Sequence, residues 1–326
     1  MIGSVRTVLG DVAPDRLGVT YLHEHLIIDS VLVAETMPHI HLPDPEEATD
    51  ELRRCRSVGV GTVVDTMPAG SGRSVERLAD ASRRSGVHII ASTGMHTAKY
   101  YGDVAWANTE DAEQLAQRFI ADIQVGIDRY DYVGSSVDRT DFRAGIIKAA
   151  TFTAPDPQRD RRVFEAAVIA SQRTGAPILT HCEAGRGASD QIELLGRLRM
   201  PYDRVVISHT DKIDDYSYHR DLLETGVYLE YDQALRTSDE EDSPTARLAS
   251  AMIEEGYRSQ LMLGTDGARR SLWSSLGGHP GLAWLASGFR RTMHRYGVSD
   301  SDQYALFVEN PRRFLTFGST EESGVV

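Results

Sequence analysis

The chain has 326 residues, and its 35 Lys and Arg against 48 Asp and Glu give a formal net charge of −13. With 41% hydrophobic and 25% charged residues, its composition is that of a folded, water-soluble protein and excludes a largely disordered chain. The negative charge argues against nucleic acid as a non-specific partner, because phosphate contacts need clustered Lys and Arg.

Short apolar runs typical of buried strands alternate with longer amphipathic segments from one end of the chain to the other. This strict alternation predicts right-handed βαβ units and a parallel sheet. The predicted strands are Gly18–His25, Val60–Thr66, Val87–Gly94, Ala144–Ala150, Pro177–His181, Arg204–His209, Val227–Asp232 and Gln260–Asp266. The predicted helices are Pro45–Val58, Val75–Ser85, Glu110–Tyr130, Arg159–Thr174, Asp190–Leu198, Asp221–Thr225, Ser243–Glu255 and Leu282–Tyr296.

Eight such units fit either a (β/α)8 TIM barrel or a doubly wound open sheet. Most of the predicted strands end in a polar side chain that is capable of chemistry. In a barrel these ends share one mouth, whereas an open sheet would spread them along a line, so we prefer the barrel. The residues concerned are His25, Asp65, Lys148, His181, His209, Asp232 and Asp266.

The first predicted strand contains His23 and His25. Because residues i and i+2 of a strand project to the same face, both imidazoles can reach one metal ion. Two hydrogen-bonded histidines without a metal are the alternative. A second pair, His39 and His41, lies among prolines on a loop with no strand to aim it, so it is a poor candidate for a metal site.

Lys148 lies in an otherwise apolar predicted strand. Burial would disfavour its ammonium form and lower its pKa, unless the side chain reaches the barrel rim instead. A neutral amine can react with carbon dioxide to form a carbamate. Such a group is an anionic oxygen ligand that can bridge two cations.

His181 and His209 end successive predicted strands 28 residues apart, a spacing that matches one βα repeat. Asp266 ends the last strand, where a carboxylate is either a ligand or a helix N-cap. The six candidates together offer nitrogen and oxygen ligands and no thiolate, which suits a pair of divalent ions such as zinc, manganese or cobalt. They are His23, His25, Lys148, His181, His209 and Asp266.

In their order and spacing, these six residues resemble the phosphotriesterase-like branch of the amidohydrolase superfamily. The resemblance spans nearly the whole chain, from Thr7–Gly10 to Glu309–Phe314. It implies a (β/α)8 barrel with two metal ions, bridged by carboxylated Lys148 and a hydroxide. Some relatives have glutamate at this strand-four position, so the lysine groups the chain with the carbamate-bridged members. By the same resemblance, His23, His25 and Asp266 would hold the more buried ion, and His181 and His209 the more exposed one.

Two cations that share one water make hydroxide available near neutral pH and polarise the electrophile. Asp266 can accept a proton as the hydroxide attacks and then pass it to the leaving group, so it is the predicted catalytic residue. A lactone, a phosphotriester or an amide would all suit such a centre. The residues of the loops around the mouth must therefore determine which substrate is bound.

Three loop residues are predicted to contact the substrate: His96, Arg236 and Arg269. His96 stands where the family has a substrate-facing aromatic residue. The two arginines are expected to bind an anionic group; solvated surface arginines are the alternative. Within the family the chain is most similar to members that open sugar lactones, including phosphorylated ones, although Leu272 or Trp273 replaces an expected tyrosine. The stretches that carry this similarity are His181–Gly185, Ser208–Asp211, Tyr218–His219 and Gly278–Gly281.

The preferred hypothesis is a metal-dependent lactonase that acts on a small, polyhydroxylated lactone. A phosphotriesterase or an amidase with the same metal centre is the alternative. A non-catalytic binding barrel is disfavoured, because all six ligand positions are intact.

The chain has no linker, so we expect one domain over residues 1–326, with Glu321–Val326 as a frayed tail. No apolar run approaches the roughly 18 residues of a membrane span, and no secretion signal begins the sequence. Cys55 and Cys182 are too few for a disulfide framework. We therefore expect a cytoplasmic enzyme that acts on a small-molecule substrate and has no membrane partner. The family resemblance implies a homodimer.

Overall fold

The computed structural model describes residues 3–151 and 157–318, and its centre is a nearly closed barrel of eight parallel strands. Each strand pairs with its neighbours in chain order. This confirms the (β/α)8 barrel; the doubly wound alternative is wrong, because in that fold the strand order reverses. The strands are β1 (Val19–Glu24), β2 (Val60–Asp65), β3 (His88–Met95), β4 (Ile146–Thr151), β5 (Ile178–Cys182), β6 (Val205–Ser208), β7 (Tyr228–Tyr231) and β8 (Leu261–Leu263).

In the described residues, helices lie outside the barrel between successive strands, and three more follow the last strand. They are α1 (Val31–Thr36), α2 (Pro45–Ser57), α3 (Val75–Ser85), α4 (Ala105–Thr109), α5 (Ala112–Gln124), α6 (Pro157–Thr174), α7 (Ala188–Arg197), α8 (Tyr216–Glu224), α9 (Pro244–Glu254), α10 (Gly288–Arg295), α11 (Asp300–Tyr304) and α12 (Asn310–Leu315). A short antiparallel hairpin, Val5–Thr7 with Gly10–Val12, precedes the barrel.

Two helices are shorter in the structure than the sequence pattern predicted. The helix expected to reach Tyr130 ends at Gln124, just before Gly126. A Cβ at Gly126 would lie 1.8 Å from the main-chain oxygen of Thr140, so only glycine allows the returning chain to pass this close. The helix expected over Leu282–Tyr296 is regular only in α10, because residues 282–284 form a 3-10 turn.

The lower half of the barrel interior is filled by apolar side chains, one from each strand. Val5, Leu17, Phe314 and Leu315 close the N-terminal end below them. Because this end is sealed, polar chemistry is confined to the C-terminal mouth. The interior residues are Leu22, Val64, Ile90, Ile146, Leu179, Val206, Tyr228 and Met262.

A β-bulge in β1 sets the direction of its histidines. Tyr21 lies opposite Val63 and Glu24 lies opposite Asp65, so three steps on β1 match two steps on β2. Leu22 can therefore pack in the interior layer while His23 also turns inward, towards the mouth. Without the bulge, adjacent residues would project to opposite faces.

A buried ion-pair network fixes the chain beside β3. The fully buried side chain of Arg73 lies 2.9 Å from a carboxylate oxygen of Asp122 and 2.9 Å from one of Asp131. It also donates to the main-chain oxygen of Ser92 in β3 at 2.6 Å. The guanidinium thus joins the loop after β2, helix α5, the loop after α5 and β3.

We expect Arg73→Met to lower the free energy of unfolding by about 3–5 kcal/mol, because it leaves buried Asp131 without its cation and leaves buried Asp122 paired only with Arg139. Urea denaturation followed by circular dichroism measures this loss. Arg53→Met is the matched control, since Arg53 forms an exposed pair with Asp50 in α2 that should contribute under about 1 kcal/mol. Equal losses in the two variants would contradict the structural role of the network.

Within residues 3–151 and 157–318, none of the helices combines the length and the apolar character that crossing a membrane requires. The predicted frayed tail, Glu321–Val326, lies outside the described residues.

Candidate metal centre and active site

The C-terminal ends of the strands bring the predicted ligand residues to one mouth of the barrel. His23 lies in β1 with His25 directly after it, Lys148 lies in β4 and His181 in β5. The Nζ atom of Lys148 is 3.1 Å from Nε2 of His23, and both side chains are fully buried. The lysine therefore stays inside the site and does not extend to the barrel rim.

The other two predicted ligands follow their strands instead of ending them. His209 and Asp266 both have left-handed backbones, with φ of +66° and +43°. Such conformations are rare outside glycine and concentrate at functional sites. Nε2 of His209 lies 2.7 Å from Nδ1 of His181, and Oδ1 of Asp266 lies 3.6 Å from Nε2 of His25. The structure thus brings all six predicted ligands together.

Burial sets the ionisation of these groups. It lowers the pKa of His25 and of His181 to about 3 each, and that of His23 to well below its usual value. The rings are therefore neutral at pH 7, which is the form that coordinates metals. Burial also lowers the pKa of Lys148 to about 8, which raises the fraction of neutral amine.

The contacts of His181 and His209 are compatible with a metal ion bound by both rings. Oε2 of Glu183 lies 3.1 Å from Nε2 of His181, and Oδ2 of Asp232 lies 2.6 Å from Nδ1 of His209. If each carboxylate takes the N–H of its imidazole, the lone pairs of the other two nitrogens face each other across 2.7 Å. Facing lone pairs repel unless a proton or a metal ion lies at one or both of them, so this donor pair suits a metal ion when neither nitrogen is protonated.

A second group of donors lies beside the first. Nε2 of His23 and Nε2 of His25 face Oδ1 of Asp266 at 4.0 and 3.6 Å. One donor atom from each of these three residues lies within 4.8 Å of the others. Oε2 of Glu230 lies 3.5 Å from Nδ1 of His23. The other ring nitrogen of His23, Nε2, is therefore the one that faces Asp266. These donors also fit a divalent ion.

The supporting carboxylates were largely missed by sequence reasoning. Asp232 was recognised only as a polar strand end, and Glu183 and Glu230 were not considered. Glu230 lies two residues before Asp232, so the two carboxylates project to one face of β7. Glu183 lies two residues after His181. A spacing of two residues from a polar strand end, His181 for Glu183 and Asp232 for Glu230, is the signal that could have found them.

A cavity of about 250 Å3 lies over the ligand cluster, and all three predicted substrate residues, His96, Arg236 and Arg269, line it. Larger cavities of about 480 and 380 Å3 occur elsewhere in the described chain, but none of the predicted site residues lines them. The cavity is also lined by residues that were not predicted, namely Met37, His39, Ile40, Lys99, Tyr100, Glu183, Lys212, Gln233 and Ala268.

The part of the cavity wall that is formed by the chain after β3 is aromatic. The ring of His96 is buried, with its centroid 4.7 Å from that of His181 and 4.0 Å from that of Tyr100. Tyr100 therefore supplies an aromatic surface near the position where the family resemblance led us to expect one. His39, from the pair judged a poor metal site, lines the mouth without joining either candidate metal group among the described residues.

The two predicted anion-binding arginines differ in their surroundings. Arg269 is exposed, and its side chain makes no hydrogen bond or ion pair with residues 3–151 or 157–318. Arg236 is partly buried, and its Nη2 donates to Oδ2 of Asp266 at 2.8 Å. The first arginine is thus free to meet a ligand, whereas the second is already bound to a predicted catalytic residue.

A (β/α)8 barrel whose strand ends gather imidazoles, an amine and a carboxylate under a small mouth has the architecture of a metal-dependent hydrolase. The sequence pattern of the Phosphotriesterase family matches residues 3–315. The chain belongs to this family.

Relatives match over almost their full lengths. The chain is 31% identical over 322 residues to a phospho-furanose lactonase of Mycoplasmopsis synoviae, covering 96% of this chain and 91% of the relative. A crystal structure of an amidohydrolase from Mycoplasma synoviae superposes with a TM-score of 0.91 at 30% identity, over 98% of this chain and 93% of that one. A lactonase from Listeria monocytogenes superposes with a TM-score of 0.88 at 25% identity, over 97% and 100%.

Proposed function

We propose that the protein is a binuclear-metal-dependent lactonase that opens a small, polyhydroxylated sugar lactone, preferentially a phosphorylated one. The observation that carries this proposal is the convergence of the six predicted ligand side chains beneath a small mouth that also presents basic residues. Similarity to a phospho-furanose lactonase over 96% of the chain supports the same substrate class.

The buried ligands would hold two divalent ions, with zinc as the first choice and manganese or cobalt as alternatives. When bound, the ions would make hydroxide available near neutral pH and polarise the lactone carbonyl. One ion would be held by His23, His25 and Asp266, the other by His181 and His209, with carboxylated Lys148 spanning both.

Asp266 would handle the proton. Although burial raises its pKa, the nearby Arg236 guanidinium lowers it, and the net pKa lies below the ordinary value. The carboxylate is therefore ionised at neutral pH and can accept a proton at one oxygen while water adds to the carbonyl carbon. As the ring C–O bond breaks, this proton passes to the departing ring oxygen, which yields the open hydroxy acid.

The mouth favours a small anionic substrate. Its volume of about 250 Å3 lies below the roughly 300–1,000 Å3 typical of pockets for drug-sized ligands. Lys99, Lys212 and Arg269 line it in a protein whose net charge is −13. Lys99 is paired with Glu183 at 3.4 Å, so Lys212 and Arg269 are the cations left to attract an anion.

A substrate panel tests the proposed function. Purified, metal-loaded enzyme is assayed on neutral sugar lactones, their phosphorylated counterparts, a phosphotriester and an N-acyl amide. We expect the highest kcat/KM on a phosphorylated lactone. Faster hydrolysis of the phosphotriester or the amide would replace the lactonase proposal by the corresponding alternative, and no hydrolysis by metal-loaded enzyme would contradict both.

Arg269→Met should lower kcat/KM towards a phosphorylated lactone by on the order of 10-fold, mainly through KM, because a charge-assisted contact to the anion is lost. Steady-state kinetics on paired neutral and phosphorylated lactones measure the effect. Arg270→Met is the matched control, since Arg270 is also exposed but donates to the main-chain oxygen of His41 at 3.0 Å. Equal losses on both substrates would mean that Arg269 only supports its loop.

We further propose one domain and a cytoplasmic location. Both cysteines, Cys55 and Cys182, are buried and free of a disulfide, which suits a reducing compartment. The homodimer remains a prediction from the family resemblance.

A further inference from the structure

The guanidinium of Arg236 lies across the ends of two neighbouring strands. Arg236 belongs to a short 3-10 turn, residues 234–237, that follows β7. Its Nη1 donates to the main-chain oxygens of Asp232 at 3.2 Å and Thr265 at 3.1 Å. Its Nη2 donates to the main-chain oxygen of Asp266 at 2.8 Å and to Oδ2 of the same residue at 2.8 Å. Four of the five N–H groups of the guanidinium are thus directed at protein oxygens.

We propose that Arg236 is a positioning residue that orients the Asp266 carboxylate, and that it does not bind the anionic group of the substrate. This inference rests on the proposed lactonase function. It replaces the expectation that Arg236 and Arg269 act together as an anion site.

The two oxygens of Asp266 have different partners. Oδ2 is held by Arg236, whereas Oδ1 faces Nε2 of His25 at 3.6 Å and Nε2 of His23 at 4.0 Å. A carboxylate rotates easily about its last bond. The contact from Arg236 selects the rotation that presents Oδ1 to the two imidazoles, and it does so from a guanidinium that is itself held by three main-chain oxygens.

The same arginine also holds the unusual backbone of Asp266, whose φ is +43°. The main-chain N–H of Asp266 donates to the oxygen of His23 at 3.0 Å, and its main-chain oxygen accepts from Arg236. A residue other than glycine keeps such a positive φ only when the surrounding structure holds it in place. Arg236 fixes both the main chain and the side chain of Asp266, and no other side chain in the described residues hydrogen-bonds to both.

A substrate anion would have to compete with these contacts. Binding a phosphate to Nη2 of Arg236 would take donors away from Asp266 and leave buried oxygens unsatisfied, which costs free energy. Arg269 and Lys212 line the same cavity, are exposed, and make no side-chain hydrogen bond within the described residues. The anion is therefore expected at these two side chains.

Two substitutions of Arg236 distinguish a role in positioning Asp266 from a role that needs only a positive charge. Arg236→Met removes both the charge and the donors, and Arg236→Lys keeps the charge but cannot reproduce donation from two nitrogens. Each is assayed for kcat and KM on a neutral lactone and its phosphorylated counterpart. Metal retention is measured separately by titration with a chelator. Circular dichroism and thermal unfolding of each metal-free variant establish that it is folded.

We expect both variants to lose about 10- to 100-fold in kcat on the neutral and the phosphorylated lactone alike, with the ratio of the two KM values unchanged. Metal retention should fall by a similar factor, since Oδ1 is no longer held towards the histidines. Arg269→Met is the comparison: it should retain metal as the wild type does and act on KM for the phosphorylated lactone.

Three results would overturn the proposal. The first is a rise in KM for the phosphorylated lactone alone, with metal retention unchanged, which would make Arg236 an anion ligand. The second is full recovery of kcat and metal retention in Arg236→Lys, which would show that charge alone matters. The third is wild-type behaviour in both variants. If the wild-type enzyme hydrolyses no lactone, the proposed function fails, while the chelator titration still tests the role of Arg236.

Discussion

Lys148→Ala is expected to lose metal and activity together. The substitution removes the only side chain in the described β4 that could provide a bridging ligand, and it would leave the two proposed ions without their bridging anion. We expect kcat on any lactone to fall by at least about 10²-fold, with metal content falling in the same preparation. Elemental analysis and steady-state kinetics measure the two quantities.

Two controls identify the carbamate as the cause of this loss. Added bicarbonate or a short carboxylic acid can occupy the space vacated in Lys148→Ala and should restore part of both quantities. Lys148→Glu supplies a carboxylate directly and should retain more metal than the alanine variant. Full metal content and activity in Lys148→Ala would contradict a bridging role for this residue.

Asp266→Asn should lower kcat by roughly 10²- to 10⁴-fold, the usual range for a lost general acid or base. The fall in kcat should be equal on neutral and phosphorylated lactones, because the proposed role is proton transfer and not recognition. Asp239→Asn is a suitable control: this carboxylate is 81% exposed and pairs with His279 at 2.9 Å, away from the ligand cluster. We expect kcat of Asp239→Asn to stay within about twofold of the wild-type value.

If Asp266→Asn kept near-native turnover with full metal occupancy, proton transfer by Asp266 would be wrong. A loss of turnover with a parallel loss of metal would instead show that its main role is that of a ligand. Measuring metal content for each kinetic preparation distinguishes these two outcomes.

The barrel and the convergence of six candidate ligands at its mouth could be predicted because both depend on local pattern. Continuous apolar runs locate strands, and a polar residue at the end of such a run lies at the mouth of the barrel. His181 at the end of β5 illustrates this directly. His209 and Asp266 were expected as the last strand residues but lie after their strands with positive φ, because the turn that follows each strand begins at the ligand.

Contacts between different strands could not be predicted in the same way. The inward direction of His23 depends on the bulge in β1, which the alternation of apolar residues does not reveal. The attachment of Arg236 to Asp266 depends on how far the turn after β7 reaches across β8. Glu183 was overlooked because its role depends on the ring of His181, whose direction is set only in the folded barrel.

Metal content and lactone hydrolysis, measured on the same purified protein, test the two-ion lactonase site most directly. We expect about two divalent ions per chain, loss of hydrolysis of a phosphorylated sugar lactone on chelation, and its recovery when zinc and bicarbonate are restored. Full hydrolysis by protein that holds fewer than about one ion per chain would contradict a binuclear centre.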